Sequence, residues 1–153
     1  MKTKRFKITP AVYLVLIKDN KVLLLRRYNT GHEDGNYSFV AGHFDGNETI
    51  MQAMVREARE EADINIKEED LEIAHVIHRF AEYNDVSSGE RIDFFIKAEK
   101  WQGEPKNMEP EKCDDLDWFD LDNLPENTIA YIKQAIDSIN KKIFYSEFGW
   151  EKS

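Results

Sequence analysis

Glu57, Glu60 and Glu61 stand at i, i+3 and i+4 within Ile50 to Ala62, a segment whose other apolar residues recur at helical spacing. That spacing aims all three carboxylates at one patch of space. The apolar stripe runs through Ile50, Ala53, Met54, Ala58 and Ala62, and Glu57 and Glu61 fall on it, where a core-facing helix wants hydrocarbon. Like charges at i, i+4 cost about 0.2–0.5 kcal/mol in water and more at lower dielectric. A divalent cation held by oxygen ligands is the natural counter-charge.

The strands are legible around this helix. Ala11 to Ile17 is continuously apolar, Asp19 and Asn20 supply a turn, and Val22 to Leu25 resumes, which predicts a hairpin covered on both faces. Arg26 and Arg27 end the second strand. Tyr28 to Asn36 reads as a loop, Tyr37 to Ala41 as a short strand and Gly42 to Asn47 as a second loop. The helical period starts at Thr49 and stops near Asp63. Leu71 to Arg79 and Arg91 to Glu99 are the next strands, a paired unit joined by the polar stretch Glu82 to Glu90; Trp101 to Lys112 is a long loop and Leu116 to Phe119 a short final strand. Ile129, Ile132, Ile136 and Ile139 mark one face of a C-terminal helix at about 128–141. The aromatic tail 144–150, with Phe144, Tyr145, Phe148 and Trp150, is expected to pack on the core or on a partner subunit.

The 153 residues, 41% of them hydrophobic, suit one domain spanning 1–153. Strands interleaved with two separated helices predict an α/β or α+β domain. No apolar run approaches the ~18 residues of a membrane span, and no signal peptide or anchor is visible, so no membrane partner is expected. The single cysteine, Cys113, forms no internal disulfide and suits the cytoplasm. Thirty acids against 21 bases, a net charge of −9, disfavour a nucleic acid polymer and favour a small anionic substrate held locally.

Gly42, Glu48, Arg56, Glu57, Glu60 and Glu61 follow the spacing Gx5Ex7REUxEE, with Ala58 at the aliphatic position U. This resembles the signature of the Nudix hydrolases, here 42–64, with Asp63 in place of the signature's last glycine. The residues make physical sense of the pattern. Gly42 permits close backbone approach. Glu48, at the helix start, can receive Arg56, which looks like an orienting residue for the neighbouring carboxylates. Asp63 ends the helix and tolerates left-handed geometry.

The resemblance implies an α/β/α sandwich with a mixed central sheet and Mg2+ or Mn2+ as cofactor. It makes Glu57, Glu60 and Glu61 the metal ligands, with the backbone carbonyl of Ala41 as a further ligand and Arg56 among the catalytic group. The implied reaction is hydrolysis of a pyrophosphate bond in a nucleoside diphosphate linked to another moiety, with a metal-activated water attacking phosphorus. Trp101, Gly103, Glu104, Pro105 and Glu109 are similar in spacing to a stretch of the MutT-like branch, and on that basis Glu109 is a candidate extra ligand or base. The same branch suggests Arg27 as a phosphate contact, and His43 lies inside the signature loop near where phosphates should pass. The branch also suggests Asn127 as a reader of a guanine edge, against the commoner alternative of a helix N-cap.

A nucleoside triphosphate, oxidised dGTP included, cut to monophosphate and pyrophosphate, is the substrate this branch implies; a nucleotide sugar or other X group is the alternative, with ADP-ribose disfavoured by the lack of a proline shortly past the signature. A bare REAREE string is by default a solvated helix face, and Gly42 and Glu48 at their distances reverse that reading. The competing class is a Nudix-like module that senses a nucleotide without cleaving it, against which all the ligand glutamates are retained. His32, His75 and His78 lack metal-ligand spacing and are expected to be structural. Either a monomer or a homodimer is compatible with the sequence.

Overall fold

The hub of the structure is the longest apolar strand. A computed structural model describes residues 4–81 and 89–150. The strand β1 (Thr9–Lys18) turns at Asp19 and Asn20, both with positive φ (52° and 60°), into β2 (Lys21–Arg27), with Lys18 paired to Lys21. Such a two-residue turn matches the right-handed twist of the strands it joins. β3 (Tyr37–Ser38) and β4 (Val40–His43) follow, then α1 (Ile50–Ala62), a single 3-10 turn at Glu68–Asp70, β5 (Glu72–Phe80), β6 (Glu90–Ala98), β7 (Cys113–Asp120), α2 (Ala130–Asn140) and β8 (Tyr145–Phe148).

One edge of β1 runs parallel to β6; its other edge pairs with β4 over Ala11–Leu14 and with β2 over Ile17 and Lys18. The sheet is mixed, with order β3-β2-β1-β6-β5-β8, β7 lying on β2 and β4 on β1. β1 is buried on both faces as its composition requires. Ala11, Tyr13 and Val15 pack with Ile132, Ala135 and Ile136 of α2, while Val12, Leu14 and Leu16 pack with Ala53, Met54 and Ala58 of α1. An eleven-residue helix is marginal alone, and each fully buried aliphatic contributes about 1.5–3 kcal/mol, so the isoleucine stripe of α2 is what holds it. The result is the expected mixed α/β arrangement with helices on both faces.

Several boundaries move. Gly42 and His43, expected in a loop, complete β4, because they pair with Val12 and Ala11. The short strand expected over Leu116–Phe119 extends to Cys113–Asp120, since its whole length is hydrogen-bonded to β2, from Arg27 to Lys21. The aromatic tail supplies an additional strand, β8, parallel to β5. Of its rings, Phe148 packs on the core and Trp150 lies tilted against His78 while remaining partly exposed, whereas Phe144 and Tyr145 are more fully exposed. The helix expected at 128–141 starts later, with Ile129 as its N-cap. The polar stretch between β5 and β6 lies, over 82–88, outside the described residues. No helix among the described residues is long and apolar enough to cross a membrane.

Candidate active site

α1 is delimited by its own sequence. The Thr49 hydroxyl accepts the Gln52 N–H at 3.1 Å and the Gln52 side chain accepts the Thr49 N–H at 2.9 Å, closing both ends of a capping box. At the other end Asp63 adopts the left-handed conformation, φ 55° and ψ 37°. Between these caps the acidic face of α1 borders a cleft of about 670 Å³. The cleft lies beside β1 where β2 and β4 leave the same edge, and Tyr13, Arg27, Ala41 and Gly42 are among its walls.

Arg56 organises the acids. Its Nε and Nη2 donate to the two oxygens of Glu48 at 3.0 and 2.8 Å, its Nη1 to Glu57 at 2.8 Å and to Glu60 at 3.3 Å, and its Nη2 also to the His43 carbonyl at 3.1 Å. The fork geometry of a guanidinium allows this sharing, which an ammonium could not reproduce. The Arg56 hydrogen bonds, helped by the Asp45 N–H, hold Glu48 down to about 2.

Glu57 is buried, and its carboxylate lies where a Cβ on residue 42 would sit, so only glycine there leaves it room. Burial raises its pKa, opposed by Arg56. Glu61 lies deeper in charge terms: burial first, then the nearby Glu57 and Glu109, push it up to about 8, and the Ala41 N–H, donating at 3.2 Å, offsets only part of this. Glu60 is largely exposed at the cleft rim.

Glu57, Glu60, Glu61, Glu109 and Ala41 therefore share one cleft, together with Arg56, His43 and Arg27. Among the described residues no three acidic, histidine or cysteine side chains already close around one point; Arg56 engages Glu57 and Glu60 instead. The residues nevertheless suit a divalent cation. They are hard oxygen donors, and the burial and neighbouring acids that raise Glu61 are a cost that a bound cation would offset.

Of the expected substrate contacts, Arg27 lines the cleft and Asn127 does not. Arg27 faces the cleft but braces the following loop, donating to the His32 carbonyl at 2.7 Å and to Thr30 Oγ1 at 3.0 Å. Asn127 is neither on the cleft wall nor a helix cap: its amide donates to the Gly35 carbonyl at 2.6 Å and its own carbonyl accepts the Tyr37 N–H. His43 is exposed at the rim, its Nδ1 3.4 Å from the Pro10 carbonyl. His75 is wholly buried between the Ile143 carbonyl and Ser146, a structural histidine as expected.

Arg79 was not anticipated. It is 4% exposed, donates to the fully buried Asp93 at 2.6 Å, lies 3.9 Å over the Tyr131 ring and reaches the cleft beside Tyr13. The sequence offered little signal for it, because both strands carry other polar and charged residues, Glu72, His75 and His78 on β5 and Glu90, Arg91 and Lys97 on β6.

A model of the NUDIX domain family matches residues 7–138. The ADP-ribose pyrophosphatase of Methanocaldococcus jannaschii is 29% identical over 144 residues, covering 93% of this chain and 80% of that protein. The NAD-capped RNA hydrolase NudC of Vibrio atlanticus is 26% identical over 141 residues, covering 88% of this chain; the chain spans only 48% of NudC. Among solved structures, a MutT NUDIX hydrolase from Burkholderia pseudomallei superposes with a TM-score of 0.76 at 23% identity, over 86% of this chain and 97% of that one. A MutT protein from Methanosarcina mazei gives 0.73 at 17%, over 92% and 98%. At such identities the superpositions establish the fold alone.

Proposed function

This chain belongs to the NUDIX family of hydrolases, and on that footing we propose that it cleaves a pyrophosphate bond in a nucleoside diphosphate derivative with the help of a divalent cation, magnesium or manganese. The observation that carries the reading is the convergence of Glu57, Glu60, Glu61 and Glu109 on one cleft, with Arg56 clamped between Glu48, Glu57 and Glu60.

Glu57, Glu60 and Glu61, with Glu109 and the Ala41 carbonyl, would hold the cation. When bound, it supplies positive charge against the non-bridging phosphate oxygens and makes water more acidic. Arg56 keeps the carboxylates turned toward the cleft. Arg27 and His43 stand on the walls past which the phosphates would run.

For the substrate we favour a nucleotide linked to a sugar, with ADP-ribose first. The relative named ADP-ribose pyrophosphatase aligns over most of both chains, and the residue expected to read a guanine, Asn127, is occupied by Gly35 away from the cleft. Hydrolysis of a triphosphate such as oxidised dGTP is the competing arm of the same test. Purified protein is incubated with ADP-ribose, a nucleotide sugar, NAD, dGTP and oxidised dGTP, with magnesium, with manganese or with chelator, and products are separated by chromatography. AMP and ribose phosphate from ADP-ribose, lost with chelator and in Glu61→Gln, is the expected result. Monophosphate and pyrophosphate from oxidised dGTP alone would reverse the substrate choice, and no turnover of any compound would leave a nucleotide sensor.

A further inference from the structure

Glu109 sits on a loop that the acidic helix itself holds. The last carbonyls of an α-helix have no partner within it, and here the loop takes them: the Lys106 N–H donates to Ala62 O at 2.9 Å and the Met108 N–H to Glu61 O at 3.2 Å. The residue between these two anchors, Asn107, is half-buried and lines the cleft. Its Oδ1 accepts the Glu109 N–H at 3.0 Å and its Nδ2 donates to the Cys113 carbonyl at 2.7 Å. The Lys112 and Cys113 N–H groups in turn both donate to the Glu109 carbonyl, at 2.9 and 3.0 Å. Cys113 opens β7 opposite Arg27 of β2. One amide thus ties the main chain of Glu109 to the start of a strand, while backbone bonds on either side of it tie the same loop to α1.

Both peptide groups of Glu109 are committed in this way, and its carboxylate faces the cleft that Glu61 faces. We infer that Asn107 is a positioning residue for the metal site: its side chain, one acceptor and one donor bridging Glu109 and Cys113, sets where the Glu109 carboxylate stands relative to Glu61. An amide meets both requirements at once. Alanine meets neither, and serine retains a short acceptor for the Glu109 N–H without the donor to Cys113. The inference rests on the reading of Glu109 as a group of the metal site.

The test needs no substrate. Binding of Mn2+ alone to the full chain is followed by the free-ion electron paramagnetic resonance signal for wild type, Glu109→Gln, Asn107→Ala, Asn107→Ser and the Asn107→Ala/Glu109→Gln double variant, with far-ultraviolet circular dichroism on each. Glu109→Gln weakens Mn2+ binding by about tenfold, and Asn107→Ala by several-fold, less than the roughly 10–100-fold typical of an outer-shell partner, because its effect cannot exceed the loss of Glu109 itself. Asn107→Ser falls between wild type and Asn107→Ala, and the double variant binds within twofold of Glu109→Gln, because an effect routed through Glu109 disappears with its carboxylate. A loop brace without bearing on the site lowers melting temperature and leaves Mn2+ binding unchanged. Wild-type affinity in Asn107→Ala beside a weakened Glu109→Gln overturns the inference and leaves Glu109 in place, as does a double variant weakened by the product of the two. Wild-type affinity in Glu109→Gln removes Glu109 from the site and the inference with it. Should Asn107→Ala fail to fold, Asn107→Ser carries the same comparison.

Discussion

The carboxylate of Glu57 occupies the space that a Cβ on Gly42 would need. A strand residue and a helix residue fifteen positions apart are thereby locked together, and the glycine is required for space and not for an unusual φ, since its backbone is that of an ordinary strand.

Gly42→Ala forces either Glu57 or β4 to move. The Glu57 carboxylate is the far end of a flexible side chain beside the cleft, so swinging it aside costs about 0.5–1.5 kcal/mol. We expect a drop of that size in chemical denaturation and a loss of at least tenfold in turnover with a raised half-saturating magnesium concentration. Wild-type metal dependence in this variant would place Glu57 outside the cation site.

Arg56→Lys keeps the charge and loses the shared fork. One ammonium cannot hold both oxygens of Glu48 while bonding Glu57 and Glu60. Turnover should fall by about 10–100-fold with the fold retained. A lysine variant as active as wild type would show that charge alone suffices.

Acid stability should carry the signature of Glu48. Its folded pKa is depressed to about 2 by Arg56, so its contribution is complete above the ordinary carboxylate value and is lost as pH falls through about 2. The melting temperatures of wild type and Glu48→Gln should therefore differ at neutral pH and converge in acid. A constant gap down to pH 2 would contradict the linkage.

Alkaline stability should depend on Tyr37. Burial, then its hydrogen bond to Asp115, raise this phenol to about 12. A raised folded pKa means a contribution fully present below about 10 and lost as pH rises through about 12. Tyr37→Phe should cost about 1–2 kcal/mol at neutral pH, and the deficit should shrink across that window in denaturant titrations. A deficit unchanged at pH 12 would put the phenol's contribution down to packing.

Asp63→Gly should stabilise the protein by less than about 1 kcal/mol, because glycine adopts the left-handed C-cap without the cost an L side chain carries. Turnover should be unchanged. A large gain in rate would mean that Asp63 restrains the site.

Much of this was legible from local chemistry. Thr49 and Asp63 bracket α1 because caps act within one turn; Asp19 and Asn20 turn the hairpin because both tolerate positive φ; Ala11 to Ile17 advertised two covered faces by having no polar alternation. β7 is longer than its apolar run because main-chain pairing with β2 accommodates Asp114, Asp115 and Asp117, which interrupt that run. β8 is not legible as a strand, because aromatic rings in a tail do not say which edge they will join.

The sequence by itself determined that Glu57, Glu60 and Glu61 share one side of a rod, since 3.6 residues per turn leaves no other outcome once α1 forms. Only the tertiary structure decided that Gly42 makes room for Glu57, that a loop some fifty residues downstream presents Glu109 to the same cleft, and that Asn127 turns to Gly35 instead. Helical period is set by neighbours a few residues away. Contacts between distant segments are set by sheet register and by which backbone groups at a helix end remain to be satisfied, and neither is written in any short stretch of chain.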